Sequence, residues 1–462
     1  MRHRKLKSFN MAGGILVATI MVSACKGSKE DGEPQGADPE MRVPLAIVPI
    51  LPGQVKLQEE HRYAADGDNS ETLFNSIVGS MKARRDFAWR VVEKVTAPVV
   101  TGRKAEDGGD IIVPAFYTWV TGNQMAESLS KFYQEQYSGN EEQLDQLHAA
   151  FYQSSSYDDQ GSESWFKANV WIDETTQNGV VEDSTLQHGN PAFIKHMFQK
   201  ANFTQRGQCN SLDIDQTKEA SPTNFAPCLA AEFPRDAVVL KSLWVDIDKI
   251  KMPVADSSAA GMTKLFEHSS KSWAATYDFS IDRGTMTTEN MFTVQDRDGT
   301  RYGLGSLHIV TKEVRNWVWI SLWWHDRPHE DFGADRPESL NNTIWANYKL
   351  CVTLDFQELD ENPWSSYTDD QTLSLGEALK AVQGKTGQDT WCANPLLEGE
   401  PNNGVSNCLG CHQIAGERGK TAGQILKRDN PRSLDEGRTG FPNDYIFSIQ
   451  SPSFLGKAIF GD

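Results

Sequence analysis

Apolar residues recur at helical spacing early in the chain and at strand spacing later. From Leu73-Phe74 to Val95 they fall at Leu73, Ile77, Met81, Phe87 and Val91, and the run stops before Pro98. That spacing predicts an amphipathic helix. Met125 to Tyr137 and Glu141 to Phe151 read as two more, parted by Ser138-Gly139-Asn140. Pro191-Ala192-Phe193-Ile194 opens another, with proline near the first turn, where its missing N–H costs nothing. Residues 43–205 are therefore expected to be mainly helical. Segment 153–190, rich in Ser, Asp and Gln, shows no assignable pattern.

The pattern changes after about residue 206. Ala237 to Ile247 alternates and is β-branched, as a strand should be. Trp273 to Ile281 and Met286 to Val294 read as further strands, and Asp296-Arg297-Asp298-Gly299 suits a tight hairpin turn. Tyr302 to Lys312 and Asn316 to Trp324 follow. In the last, Trp317, Trp319, Ser321, Trp323 and His325 share one face, and Val318, Ile320, Leu322 and Trp324 the other. Both faces are apolar, which predicts a central strand covered on both sides. Residues 206–360 are expected to form a mostly antiparallel sheet or sandwich. Beyond it, Leu375 to Val382 reads as a short helix with Ser374 as its N-cap.

The N-terminus points to export. Arg2, Arg4, Lys5 and Lys7 precede a short apolar run centred on Ile15 to Val22, too short to span a bilayer. It ends Val22-Ser23-Ala24-Cys25, which resembles the lipobox of bacterial lipoproteins, so residues 1–24 are expected to be a signal peptide and Cys25 to be lipidated. Residues 25–42, with Gly, Pro, Ser and charge and no apolar periodicity, read as a flexible tether. Lys26 favours sorting to the outer membrane, with the body in the periplasm.

Removing residues 1–24 takes the formal charge from −18 to −22. So acidic a body repels nucleic acid and anionic surfaces, and a partner protein should dock with a basic face. Thirteen tryptophans imply large buried aromatic contacts, a cofactor pocket, or both.

Near the C-terminus stands Cys408-Leu409-Gly410-Cys411-His412. Two thiols at this spacing, followed by an imidazole, suit thioether attachment of a c-type haem, with His412 as proximal iron ligand. A thioredoxin-like redox pair would have a strand before it and a helix opening at it, whereas the approach here, Glu400 to Gly404, is a loop. A zinc site would need a second ligand pair, and only Cys392 is near. Residues 361–462 are thus expected to form a small α-helical, cytochrome c-like region holding one covalent haem c per chain. No Met or His follows the motif, which leaves a distal ligand from upstream, a five-coordinate iron or an unusual ligand. His308 and His325 are the upstream candidates, with Met252 and Met262 weaker. Cys209, Cys228, Cys351 and Cys392 remain, and in an oxidising compartment they suggest two disulfides, with Cys209–Cys228 and Cys351–Cys392 favoured for closing moderate loops. The polar run His325 to Asp331 reads as a charged loop or as a second metal site.

Three segments carry a resemblance. Phe233-Pro234-Arg235-Asp236-Ala237 through Trp244, Leu307 through Lys312, and Trp317 through Asp326, with a single attachment motif after them, resemble a group of large exported bacterial cytochrome c family proteins. The resemblance spans about residues 190–430 and implies an exported haem c protein. The expectation is an α+β, lipid-anchored monohaem cytochrome transferring electrons to a basic redox partner; a haem-dependent oxidoreductase and a haem-based ligand-binding module are the alternatives.

Overall fold

The computed structural model describes residues 70–104, 108–121, 171–172, 184–197, 233–249, 254–277, 286–295, 300–354, 358–383, 391–398, 403–405 and 407–412. Several expectations fall outside these residues: the signal peptide, the tether and Cys25, the helices at 125–137 and 141–151, Cys209 and Cys228, the turn at 296–299, and the tail beyond 412.

The architecture is mixed α+β. The first predicted helix is two: α1 (Ser70–Val78) and α2 (Met81–Val95). The break falls at Gly79-Ser80, where the Ser80 hydroxyl accepts the Ala83 N–H and restarts the helix. Next come β1 (Pro98–Lys104) and β2 (Asp110–Pro114), an antiparallel pair of their own. Strands β3 (Val120–Thr121), β4 (Trp171–Ile172) and β5 (Ser184–Gly189) precede α3 (Pro191–Met197). Then follow β6 (Val238–Asp246), α4 (Ala259–Glu267), β7 (Thr293–Gln295), β8 (Arg301–Thr311) and β9 (Val318–Trp324). The remainder is α5 (Glu338–Asn341), β10 (Tyr348–Thr353), α6 (Leu373–Val382) and α7 (Cys408–His412).

Eight strands form one antiparallel sheet in the order β10-β9-β8-β6-β5-β3, with β4 also on β5 and β7 also on β8. Strand β8 is long enough to pair first with β7, at Arg301 to Gly303, and then with β9, at Ser306 to Thr311. Strand β3 comes from the stretch expected to be mainly helical, and β4 and β5 from segment 153–190, which shows no assignable pattern, so the N-terminal region extends the sheet as well as supplying helices.

All seven residues of β9 are buried, as its two apolar faces require. Val318, Ile320, Leu322 and Trp324 join Leu240, Leu307, Ile309, Leu350 and Val352 in one core, with Leu73, Ile77, Phe87 and Val91 of α1 and α2. On the other face Trp323 and Cys351 join a second core with α4 and α6, Trp273, Phe332 and Trp391. Trp317 is a departure. It closes the β8–β9 turn with φ of 66°, so the strand starts at Val318, two residues later than expected. Its indole packs under the Lys312 ammonium, 5.1 Å from the ring centroid, and edge-on to Phe233.

Two local expectations are corrected. Trp273–Thr276 is a 3-10 turn rather than the start of a strand, with Ser272 accepting the Ala274 N–H. Helix α6 begins at Leu373 after Thr372; Ser374 does not cap it but accepts the Asp331 N–H at 2.9 Å.

Candidate functional site

A polar row crosses the second face of the sheet. Gln187 of β5, Lys241 of β6, His308 of β8, Ser321 of β9 and Cys351 of β10 stand opposite one another in register. Alternation explains their common face: each is flanked along its strand by residues pointing to the first core. Trp319 lies two positions from Ser321 on the same side.

Residues 391–398 and 407–412 are fastened over this row. Cys392 is disulfide-bonded to Cys351, with Cα atoms 5.4 Å apart. Asn394, fully buried, donates through its amide to Ser321 Oγ at 2.6 Å and to the Leu322 carbonyl at 3.0 Å. Its side-chain oxygen accepts the N–H groups of Leu396 and Leu397. Trp391 Nε1 donates to the Gly404 carbonyl at 2.7 Å. Asn407 donates to Thr353 Oγ1 and accepts the Leu409 N–H, pinning the entry to α7 against the end of β10.

This fastening brings together His308, Glu398 and His412. Glu398 Oε1 lies 3.7 Å from His308 Nε2, and Glu398 Oε2 accepts the Asn394 N–H at 2.9 Å. Burial, with help from Lys241 and His412, pushes His308 down to about 3. Burial likewise pushes Glu398 up to about 8 against the Asn394 N–H and Lys241, although a quarter of its side chain (25%) stays open to solvent. At neutral pH the two therefore face each other as neutral imidazole and neutral carboxyl, not as an ion pair. The His412 ring rests on Trp319, centroids 4.3 Å apart and planes at 50°. Cys408, half-buried, packs at the edge of the second core; the Cys411 side chain lies outside what is described.

His325 is elsewhere and is engaged at both nitrogens. Nε2 bonds the Ala255 carbonyl at 3.0 Å, and Nδ1 accepts the Arg327 N–H at 2.9 Å. This fixes the Nε2–H tautomer, and burial holds the ring below its usual range. The 3.2 Å approach of Asp326 is then no ion pair. The polar run after it serves packing. Asp331, at φ of 40°, accepts from Lys349 Nζ and Ser257 Oγ at 2.8 Å each, in a triad buried throughout. Met262 is core in α4, and Met252 lies outside the described residues.

Sequence reasoning named His308 and His412 but missed Lys241, Asn394 and Glu398. A lysine in the apolar run Val238 to Leu243 was a signal. Nothing local marks Glu398, whose place depends on the disulfide at Cys392, six residues earlier.

No family model, no curated protein and no solved structure matches this chain. The resemblance to exported cytochrome c proteins is accordingly withdrawn. So is the haem c assignment of Cys408, Cys411 and His412, with His308 and His325 as distal ligands and electron transfer through iron. The bonded cysteine pair among the described residues is the structural disulfide Cys351–Cys392, and no group of three or more His, Cys, Asp or Glu is placed to hold a metal among those residues. The imidazoles do not fit the role: His412 is laid against an indole, His308 faces a carboxyl and His325 is spent on backbone. No cytochrome c-like feature is evident in the described fold.

Proposed function

We propose that this chain is an exported, lipid-anchored protein whose Cys408-x-x-Cys411 pair works as a dithiol, exchanging with a disulfide of a partner that docks through a basic face. The observation that carries the reading is the helix opening at Cys408, the placement a redox pair calls for. The strand such a pair usually follows is replaced by a 3-10 turn at Asn403–Val405. The buried Cys351–Cys392 bond supports an oxidising compartment. The basic and apolar run ending Val22-Ser23-Ala24-Cys25 supports export and anchoring, and the formal charge of −18 supports a basic partner.

In this reaction one thiolate attacks a sulfur of the partner's disulfide and forms a mixed disulfide. The second thiol of the chain then displaces the partner. Cys408 and Cys411 end as a disulfide, the partner ends as two thiols, and the two thiol protons leave with the partner's sulfurs. The test is differential alkylation of the exported protein across a series of glutathione redox buffers. Cys408 and Cys411 should switch together between alkylated and protected states, reversibly, while Cys351 and Cys392 stay protected. A pair that never becomes alkylatable, or never becomes protected, would overturn the reading.

A further inference from the structure

The buried triad of Lys349, Asp331 and Ser257 joins three elements. Lys349 stands on β10, two residues before Cys351 and on the same face of the sheet. Asp331 opens the 3-10 turn Asp331–Gly333, and Ser257 lies at the entry to α4. Their exposures are 0%, 2% and 1%, so water is kept from all three. Trp323, opposite Lys349 on β9, and Phe332, next to Asp331, belong to the apolar second core. Lys349 Nζ lies 2.8 Å from each carboxyl oxygen of Asp331 and donates to Ser257 Oγ at 2.9 Å.

So dry a site favours the neutral forms of an amine and a carboxyl. Passing one proton along the hydrogen bond from Nζ to Oδ2 produces both. Burial accordingly holds Lys349 below the usual lysine range, against the pull of Asp331. The other oxygen, Oδ1, accepts the Ser257 hydroxyl at 2.8 Å and the Phe332 N–H at 2.6 Å. Two donors on one carboxyl oxygen are the arrangement that stabilises an oxyanion. The carboxyl is also held in place: Asp331 has φ of 40°, rare for any residue but glycine, and its N–H is bound by Ser374 Oγ at 2.9 Å. A nucleophile, an electrophile and an oxyanion cradle thus stand at near-attack distance with water excluded.

We propose that Lys349 and Asp331 become joined by an intramolecular amide bond. Neutral Nζ attacks Cγ, and the C=O electron pair moves onto Oδ1, where Ser257 and the Phe332 N–H hold it. The pair then returns to re-form the carbonyl. Oδ2 leaves as water, carrying its own proton and one from Nζ. Nothing is oxidised or reduced, and no co-reactant is needed. The bond links residues 18 apart, beside the disulfide on the same face of β10, and reductants do not open it. The inference is independent of the dithiol reading.

The experiment is peptide mapping of the exported full-length protein, denatured and reduced. Cleavage after glutamate separates residues 331–338 from 339–358, and Lys349 is the lysine of the second peptide. The two should run as one branched species, lighter than their sum by one water and stable to hydroxylamine, with fragmentation placing the link between Asp331 and Lys349. In Lys349→Met they should separate. In Ser257→Ala, joining followed after a pulse of synthesis should slow about a hundredfold, the loss expected for one oxyanion donor. Two linear peptides from the wild type, with the Lys349 amine open to acetylation, would overturn the inference. So would a link that hydroxylamine cleaves, which marks an ester to Ser257, or loss of water confined to the 331–338 peptide, which marks a succinimide.

Discussion

Arg84 and Glu358 lie 2.8 Å apart with neither side chain exposed to water (0% each). Arg84 also donates to the carbonyls of Ile77 and Val78, and Glu358 accepts from the Leu354 N–H and the Thr353 hydroxyl. The pair thus ties the end of α1 to the end of β10. Removing one partner leaves a buried charge without compensation, so Glu358→Ala should cost about 3–5 kcal/mol. Chemical denaturation would show it as a lowered midpoint; an unchanged midpoint would contradict this account of the pair. His188 makes a second case. Buried, with Nδ1 at 3.3 Å from the Trp119 carbonyl, it is pushed down to about 4. The unfolded chain takes up that proton near pH 6.5, the folded chain only near 4, so the stability contribution is intact above about 6.5 and lost as pH falls toward 4. The loss is about 3 kcal/mol, and His188→Gln should flatten the pH dependence of stability over that window. Glu398 has the opposite sign. Its folded form keeps the proton from about 4.5 up to about 8, so it opposes folding increasingly as pH rises through that window.

At the scale of elements, the long strands were legible and the short irregular pieces were not. Strands β6, β8 and β9 are apolar runs of seven or more residues rich in β-branched and aromatic side chains, enough to mark them as strands buried in the sheet. Tyr348–Thr353 has the same character but is six residues long, and it went unread. Trp273–Thr276 has strand-like composition, but a serine hydroxyl competes for the backbone and turns it into a 3-10 helix. The break at Gly79-Ser80 was hidden because apolar spacing carries across it. In the candidate site, the histidines could be named as chemistry, but their partners come from strand register and from the 391–398 segment, neither of which has a local signature. That segment depends on the disulfide. Breaking Cys351–Cys392 by Cys→Ala at both positions should cost about 2–4 kcal/mol for a loop of 41 residues. Hydrogen exchange should then quicken mainly in 391–398 and 407–412, with β8 and β9 still protected. Uniform loss of protection would mean the bond holds the whole sheet rather than this strap. Gly261 in α4 is a second element-scale constraint. A Cβ there would run into the Asp256 carbonyl, so Gly261→Ala should lower the thermal midpoint although alanine favours helix.

For the molecule as a whole, the sheet divides the described residues into two cores. One packs β9 and its neighbours against α1 and α2; the other packs them against α4 and α6. The polar row and residues 391–398 and 407–412 sit on the second side, where the core gives way to Lys241, His308, Ser321 and Glu398. The helical, sheet and C-terminal regions read from the sequence share these cores. No helix among the described residues is long and apolar enough to cross a membrane. Attachment to one would rest on Cys25, and a Cys25→Ala form should leave the membrane fraction if the anchor is as proposed.

The chemical state of the two sulfurs in α7 bears on all of this most directly. The measurement is the mass of the proteolytic fragment containing Cys408 and Cys411, taken from the exported protein before and after reduction. The account predicts the mass of the amino-acid sequence alone, differing by two hydrogens between the two states of the Cys408–Cys411 pair. A further mass held covalently by both Cys408 and Cys411 and resistant to reduction would contradict it.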